Sequence, residues 1–186
     1  TREGDVLVGT YGGGLNIVSM THSSDFYSIG NNRVIELYQT SDGTIWVGTE
    51  SGLFTFDMTL RSSSKVSFGN SSDLNALEPI VWDLKESDSG VLWLATMHHG
   101  VFALDRSSAS SKTVMDSPSS LPEHIGLGGS VYALEIDDQG YIWCSTDSGL
   151  TRIDPVSKQT LMFSQQQGLQ LSEFDVGVSH NDNKGY

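Results

Sequence analysis

Apolar residues in this chain occur in short runs separated by turns that are rich in glycine, aspartate and serine. One run begins with valine and ends with leucine at residues 34–37, 81–84 and 131–134, and each valine stands twelve residues before a tryptophan. An acidic turn with a glycine lies between them, at residues 42–43, 88–90 and 138–140. Such residues accept the positive φ of tight hairpin turns. The pattern therefore predicts antiparallel strand pairs.

A second phrase recurs four times, and its spacing predicts the fold. It reads LVGT…GL, WVGT…GL, WLAT…GV and WCST…GL, starting at residues 7, 46, 93 and 143. The turn glycines Gly4, Gly43, Gly90, Gly140 and Gly185 are 39, 47, 50 and 45 residues apart. A third strand is expected at residues 53–57, 101–105 and 150–154, and a fourth at 26–28, 65–68, 112–115 and 159–163. Short strands with a period of about 40–50 residues predict an all-β fold, a β-propeller with one four-stranded antiparallel blade per repeat.

Packing between blades explains the repeated residue types. Each blade has two apolar faces that neighbouring blades must cover, and Trp46, Trp93 and Trp143 would each bury on the order of 150–250 Å² there. The threonines that end the phrase suit a strand terminus, and their hydroxyls are expected to bond a neighbouring turn. We therefore interpret the repeated Trp and Thr as architectural.

Counting repeats predicts a partial propeller over residues 1–186. It contains strands two to four of one blade (1–30), whole blades at 31–69, 79–116 and 130–164, and the first strand of a next blade within 173–186. About four blade-equivalents of a ring of about seven are expected. The chain would then be a piece of a larger protein or would dimerise through exposed edges. The serine-rich stretches 61–64 and 107–111 are predicted to be mobile turns without a packing role.

Composition and net charge argue against some classes of binding partner. Net charge is −13 and the isoelectric point is about 4.5, which argues against nucleic acid and anionic membranes, since both need a basic patch. No stretch resembles a membrane span or a signal peptide. The single cysteine, Cys144, allows no internal disulfide and takes a position held elsewhere by Val or Leu, so it is predicted to be a small buried hydrophobe.

No catalytic, cofactor or metal motif is evident. Gly12–Gly14 lies in a hairpin turn rather than before a helix, no Gly-x-Ser-x-Gly elbow occurs, and His98-His99 is a weak metal pair because adjacent strand residues point apart. Glu36 and Asp83 are expected on inner strands, with solvation by channel water favoured over a ligand role.

A ligand site is predicted where the turns joining strands two and three share a face with the loops entering each inner strand. We call this predicted face the rim. Aromatic rings and hydrogen-bonding carboxylates suit sugar recognition, although ordinary exposed turn residues remain the alternative. The predicted ligand-binding residues are Tyr11, Glu50, Trp82, His98, His99, Tyr132 and Asp147.

The phrases also resemble a known family. DGTIWVGT at 42–49 with SGL at 51–53, and DQGYIW at 138–143 with DSGL at 147–150, closely resemble the two-component regulator propeller repeat. QGLQLSEF at 167–174 is similar to the stretch that commonly precedes the last blade in that family. Departures are Leu7 for tryptophan, Ala95 and Ser145 for glycine, His98-His99 in a usually shorter turn, and Ser19 for the closing aspartate.

This resemblance implies a periplasmic sensor module of a bacterial membrane signalling protein, placed ahead of a transmembrane helix and a histidine kinase, hybrid kinase or diguanylate cyclase. It also implies an oligosaccharide ligand and a parent receptor that forms homodimers. We therefore predict a non-catalytic sensory module without a cofactor. A dimerisation scaffold and a propeller lyase using His99 are the alternatives.

Overall fold

The computed structural model describes residues 4–19, 24–68, 78–106 and 122–169, together with residues 174 and 179. These residues form fifteen β-strands and one 3-10 helix, Gln165–Gln167. The strands are β1 (Val6–Thr10), β2 (Gly14–Val18), β3 (Asp25–Tyr27), β4 (Val34–Gln39), β5 (Ile45–Thr49), β6 (Gly52–Asp57), β7 (Ser62–Lys65), β8 (Val81–Glu86), β9 (Val91–Thr96), β10 (Gly100–Asp105), β11 (Glu123–Ile125), β12 (Val131–Ile136), β13 (Ile142–Thr146), β14 (Gly149–Ile153) and β15 (Thr160–Phe163).

The strands form four separate sheets in simple up-and-down order. The first has three strands, β1-β2-β3, and the others have four: β4-β5-β6-β7, β8-β9-β10-β11 and β12-β13-β14-β15. Neighbouring strands pair antiparallel, for example β5 with β6, where Trp46 lies opposite Thr55, and β13 with β14, where Trp143 lies opposite Arg152. This arrangement confirms the predicted all-β fold of antiparallel blades.

The chain divides into two compact units, each with its own core. The first comprises Thr1–Val81 and Arg106–Leu121, and within it the sheets β1–β3 and β4–β7 share one apolar cluster. Leu15 and Ile17 of β2 belong to this cluster together with Ile45 and Val47 of β5. The Tyr27 and Phe56 rings meet edge to face, with centroids 5.2 Å apart. Face-to-face stacking of sheets thus buries the alternate residues of each strand.

The second unit comprises Trp82–Asp105 and Pro122–Tyr186 and repeats the same packing. Trp93, Ala95, Val101, Ala103 and Ile125 of the sheet β8–β11 form one cluster with Val131, Leu134, Ile142, Cys144 and Ile153 of the sheet β12–β15. Cys144 is fully buried, as predicted, and burial raises the pKa of its thiol well above the usual range. The residue therefore acts as a small hydrophobe.

The three tryptophans differ in burial. Trp46 and Trp93 are buried, whereas Trp143 is only half-buried. The Trp143 ring stacks on Phe163, with centroids 5.5 Å apart, and lies beneath the Arg152 guanidinium. The predicted burial of these rings therefore holds for Trp46 and Trp93 and only in part for Trp143.

The first sheet exposes residues whose counterparts elsewhere are buried. Val8 is 40% exposed, whereas Val47 and Cys144, at the same repeat position, are 0% exposed. Val6 and Val18 are also exposed. Val47 and Cys144 are covered by the preceding sheet of their own unit, so the difference reflects what lies against the sheet rather than residue type.

Two outer strands differ from the prediction. The fourth strand of the second sheet is Ser62–Lys65 rather than residues 65–68, so the serine-rich stretch is a strand and not a mobile turn. In the third sheet the strand paired with β10 is Glu123–Ile125, and the predicted strand 112–115 lies outside the described residues. That blade therefore extends beyond residue 116. Outer strands pair mainly through the backbone, which places little demand on side-chain type.

Two further expectations fall on residues that the structure does not describe. The serine-rich stretch 107–111 is one of them, and the strand expected within 173–186 is the other, apart from residues 174 and 179.

The repeated threonine closes the turn between the second and third strands of every blade. Its Oγ1 donates to the carbonyl oxygen of the glycine that opens the third strand, for Thr10–Gly14 at 3.1 Å, Thr49–Gly52 at 2.8 Å, Thr96–Gly100 at 2.7 Å and Thr146–Gly149 at 2.9 Å. These glycines have positive φ, and at Gly149 an added Cβ would lie 2.3 Å from the carbonyl oxygen of Phe163. The prediction that the hydroxyls bond a neighbouring turn is confirmed.

We expect Thr96→Val to lower the free energy of unfolding by about 1–2 kcal/mol, because the buried Gly100 carbonyl loses its side-chain donor while the side-chain volume is unchanged. Thr10→Val should cost less, because its bond is only partly buried and water can replace the donor. Urea denaturation of both variants measures the difference. Equal losses would contradict the assigned role of burial.

Asp83 on the inner strand β8 does not rely on channel water. It is 6% exposed, and its carboxylate accepts the backbone N–H of Leu84 at 2.8 Å and of Leu134 on β12 at 2.7 Å. The expectation of solvation was therefore wrong for Asp83, because two amide donors replace water. Glu36, its counterpart on β4, is half-buried.

Candidate functional site

The seven predicted site residues divide between the two units. Tyr11 and Glu50 lie in the first unit, and Trp82, His98, His99, Tyr132 and Asp147 lie in the second. Tyr11 and Glu50 meet Arg33 in the first unit, and His98 and Asp147 meet Ser130 in the second. The sequence analysis missed Arg33 and Ser130.

The Tyr11 cluster consists of Tyr11, Arg33 and Glu50. The Tyr11 hydroxyl donates to Glu50 Oε1, and Arg33 Nη1 donates to Glu50 Oε2 at 2.7 Å. The Arg33 guanidinium also lies over the Tyr11 ring, 4.9 Å from its centroid. Glu50 stands in the turn after β5, and Arg33 directly precedes β4. The cluster presents a hydrogen-bonded carboxylate beside an exposed aromatic ring.

Hydrogen bonding perturbs both acids in this cluster. The bonds from Tyr11 and Arg33 lower the pKa of Glu50, and the bond to Glu50 raises the pKa of the Tyr11 phenol. Glu50 therefore stays ionised at lower pH than an isolated glutamate, since its charged form accepts both bonds.

We expect Glu50→Gln to lower the pKa of Tyr11 towards the ordinary tyrosine value, because the charged acceptor that holds the phenol proton is removed. A ¹³C NMR titration of the tyrosine ring carbons measures this. Tyr27 lies in the same unit and donates to Asp25 rather than to Glu50, so its ring signals serve as the internal control. An unchanged Tyr11 curve would show that the contact does not form in solution.

The His98 cluster consists of His98, Ser130 and Asp147. His98 N donates to Ser130 Oγ at 3.1 Å, and the same oxygen lies 3.2 Å from His98 Nδ1. Ser130 N donates to Asp147 Oδ2 at 3.2 Å. His98 and Asp147 are exposed, whereas Ser130 is 3% exposed. Ser130 thus contacts both exposed side chains, His98 through its hydroxyl and Asp147 through its backbone N–H.

The two clusters use the same repeat positions. Glu50 and Asp147 each follow the repeated threonine, and Arg33 and Ser130 each precede the valine of an inner strand. In both cases the turn residue's N–H donates to the carbonyl of the residue before the inner strand, at 3.3 Å for Glu50–Arg33 and 3.4 Å for Asp147–Ser130. The sequence analysis missed Arg33 and Ser130, whose only shared signal is their position one residue upstream of an inner strand.

His99 has a different environment from His98. It is half-buried, and desolvation lowers the pKa of its imidazole, with a further contribution from the charges of His124 and His98. Its carbonyl oxygen lies 2.7 Å from His124 Nε2, and the His124 ring stacks on Phe102. Among the described residues, no group of three or more His, Cys, Asp or Glu side chains is arranged to hold a metal ion.

Trp82 and Tyr132 stack on each other. Their ring centroids are 5.1 Å apart and the planes are inclined by 15°. Both are half-buried, and each is the second residue of an inner strand, β8 or β12. The sequence predicted aromatic surface at these positions, and the structure adds that the two rings form one stacked pair.

The side chains of the two clusters are suited to binding a ligand. Ser130 is buried, and its hydroxyl is engaged with His98 rather than presented as a nucleophile. The exposed groups are the Asp147 carboxylate, the His98 imidazole and the Tyr11 ring, and Glu50, Trp82 and Tyr132 are half-buried. Such groups can accept and donate hydrogen bonds and stack on flat apolar surfaces.

Comparison with known proteins supports the family resemblance. Residues 28–51 match the model of the family described as two component regulator propeller. The chain is also similar to Histidine kinase P4 of Formosa agariphila, with 24% identity over 198 residues that cover 98% of this chain and 14% of the relative. The chain thus spans a small part of that protein's length.

Solved structures share the fold. The extracellular domain of a hybrid two component system from B. thetaiotaomicron superposes with a TM-score of 0.68 at 19% identity, covering 89% of this chain and 25% of that one. Virginiamycin B lyase from Staphylococcus aureus superposes with a TM-score of 0.65 at 12% identity, covering 88% of this chain and 53% of that one. At such identities the likeness concerns the fold alone. No helix among the described residues is both long and apolar enough to cross a bilayer. Residues 28–51 therefore match a two component regulator propeller repeat, and the four sheets share their fold with these solved structures.

Proposed function

We propose that the chain is a non-catalytic, ligand-recognising part of the periplasmic sensor of a bacterial two-component signalling protein, and that its ligand is a neutral oligosaccharide. The similarity to a histidine kinase and to the extracellular domain of a hybrid two component system supports the signalling context. The proposal also includes a parent receptor that is anchored in the membrane and forms homodimers.

The observation that carries the ligand class is the repeated placement of a solvent-accessible carboxylate with a hydrogen-bonding partner. Glu50 and Asp147 occupy the same turn of different blades, beside Arg33 and Ser130 respectively. Tyr11 adds an aromatic ring to the first cluster, and Tyr132, stacked on Trp82, follows two residues after Ser130. Carboxylates bond sugar hydroxyls and aromatic rings stack on sugar faces, so this combination suits a carbohydrate.

Charge favours a neutral sugar over an acidic one. The chain carries a net charge of −13, and Arg33, the cation of the Tyr11 cluster, is already paired with Glu50. A uronate or a sulfated sugar would meet repulsion from the carboxylate of whichever cluster it approached.

The test is direct binding of neutral cello-, xylo-, manno- and laminari-oligosaccharides, with oligogalacturonate as the acidic comparison, followed by titration calorimetry. We expect one neutral series to bind, and Asp147→Ala and His98→Ala each to weaken that binding at least tenfold. Asp138→Ala is the matched control, because Asp138 is an exposed aspartate in the turn at the other end of β13. It should leave affinity unchanged.

Three results would overturn the proposal. Binding of no neutral oligosaccharide would remove the ligand class. Loss of self-association in the parent receptor with Asp147→Ala, without a change in ligand binding, would favour the dimerisation scaffold. Cleavage of a bound sugar by the wild-type chain, abolished by His99→Ala, would favour the lyase.

A further inference from the structure

We propose that Ser130 is a positioning residue that fixes the His98 imidazole with its Nε2–H facing solvent, so that His98 and Asp147 form a donor–acceptor pair for two neighbouring sugar hydroxyls. The ligand part of this inference rests on the proposed function. The positioning part concerns the free protein and can be tested without any ligand.

Ser130 Oγ contacts His98 twice. It accepts the His98 backbone N–H at 3.1 Å and lies 3.2 Å from Nδ1 of the same residue. Because one oxygen engages both the backbone and the ring of His98, it defines where the residue lies and how its ring is turned. His98 needs such a constraint, since its φ of 64° lies in the left-handed region that non-glycine residues rarely adopt.

The hydroxyl proton of Ser130 decides the tautomer. Ser130 is 3% exposed, and among the described residues its hydroxyl has no acceptor other than His98 Nδ1. If Nδ1 carried the proton, the buried hydroxyl proton would have no acceptor, which is unfavourable. Ser130 therefore donates to Nδ1, and the proton of the neutral ring resides on Nε2. His98 is exposed, so this Nε2–H is available to a ligand.

The backbone of Ser130 orients the Asp147 carboxylate, which is the acceptor of the proposed pair. Ser130 N donates to Asp147 Oδ2 at 3.2 Å, and Asp147 N donates to Ser130 O at 3.4 Å. Asp147 Oδ1 takes no hydrogen bond from the described residues and lies on an exposed side chain. The carboxylate orientation is thus fixed through one oxygen, and the other is free to accept from a ligand.

Gly129 provides the space for this carboxylate. A Cβ built on Gly129 would lie 2.4 Å from Asp147 Oδ1 and 2.7 Å from Oδ2, closer than real contacts allow. Gly129 O also accepts the N–H of Gly100 at 3.0 Å, which ties this segment to the His98-His99 turn. Gly129→Ala should therefore displace the Asp147 carboxylate while Ser130 keeps its hydroxyl.

A neighbouring donor and acceptor match the hydroxyl pairs of sugars. Each hydroxyl can both donate and accept, so one of two adjacent hydroxyls accepts from His98 Nε2–H while the other donates to Asp147 Oδ1. The opposite tautomer would present an unprotonated Nε2 beside a carboxylate, two acceptors that suit a donor-rich ligand instead.

The first arm of the test is ¹⁵N NMR of the histidine rings in the free chain at alkaline pH, with His98 assigned by His98→Gln. We expect His98 to show the Nε2–H tautomer alone, and Ser130→Ala to give ring nitrogen shifts intermediate between the two tautomers. A protonated Nδ1 in the wild type, or the same ring shifts in Ser130→Ala, would overturn the positioning role. The wild-type spectrum decides this even if Ser130→Ala folds poorly.

The second arm measures affinity for the neutral oligosaccharide series that the wild type binds. Gly129→Ala should weaken binding at least tenfold without changing the His98 tautomer, and Gly126→Ala is the matched control, because a Cβ there meets only His124 Cε1 at an ordinary 3.7 Å. Equal affinity of Gly129→Ala and the wild type would overturn the donor–acceptor pair. If no oligosaccharide binds, the ligand part fails with the proposed function, whereas the tautomer result still stands or falls alone.

Discussion

Trp93→Ala is expected to lower the free energy of unfolding by about 3–5 kcal/mol, a large part of the stability of an ordinary domain. Trp93 is 1% exposed and belongs to the core that joins the sheets β8–β11 and β12–β15. Alanine would leave a cavity between two sheets that cannot close without shifting whole strands. Urea denaturation followed by far-UV circular dichroism measures the loss.

The control for this prediction is Trp143→Ala, which changes the same residue at the same repeat position. Trp143 is half-buried and packs beside Phe163 and Arg152, so its removal should cost no more than about half as much. Trp93→Phe should also be tolerated better than Trp93→Ala, because the Trp93 Nε1–H has no acceptor among the described residues and no hydrogen bond is lost. An equal cost for Trp93→Ala and Trp143→Ala would contradict the packing described for the second unit.

Asp83→Ala is expected to destabilise the chain by about 2–4 kcal/mol. The Asp83 carboxylate accepts the N–H groups of Leu84 and Leu134, and alanine would leave both buried donors without a partner. Because Leu134 lies on β12 and Asp83 on β8, the loss also disconnects two inner strands. Glu36→Ala, at the same repeat position but half-buried, should cost less.

The contribution of Asp83 to the free energy of unfolding changes with pH in a definite direction. Burial raises the pKa of Asp83 above its ordinary value in the folded chain, despite the two N–H donors and Lys85, which act in the opposite direction. The folded state therefore binds this proton more tightly than the unfolded state does. The resulting stabilisation is fully present below the ordinary aspartate pKa and is lost as the pH rises through the raised value.

Asp83→Asn separates the pH effect from the hydrogen bonds, because asparagine keeps the volume and cannot titrate. The free energy of unfolding of the wild type minus that of Asp83→Asn should be largest near the ordinary aspartate pKa. It should fall as the pH rises through the raised pKa of Asp83. Chemical denaturation at several pH values from 4 upwards measures it. A difference that grows with pH would mean that the folded-state pKa is lowered rather than raised.

The repeat made most of the fold predictable from the sequence. Positions that bury side chains between sheets, such as Val47, Trp93 and Leu134, need particular residue types in every copy, so their spacing is visible. The outer strands β7 and β11 carry no such requirement. Ser62–Lys65 pairs with β6 through its backbone, and a run of serines satisfies that pairing as well as valines would.

The candidate site was only half predictable for a related reason. Turn residues such as Glu50, His98 and Asp147 stand out because they interrupt a regular phrase. Arg33 and Ser130 share a repeat position but no chemical type, and the equivalent residue of the third blade is Ile80. Each of the two bonds the turn residue 17 positions later in the chain, Glu50 for Arg33 and Asp147 for Ser130. Its role therefore depends on which side chain that turn carries.

Hydrogen exchange of the second strands of the four blades tests the central claim most directly, that repeats of one pattern form stacked propeller blades. β5, β9 and β13 each lie between two strands of their own sheet, whereas β1 has only β2 as a neighbour in its sheet among the described residues and carries the exposed Val8. In dilute solution we expect slow exchange throughout β5, β9 and β13 and faster exchange at alternate amides of β1. Equally fast exchange in all four strands, or protection of β1 equal to that of β5, would contradict the account.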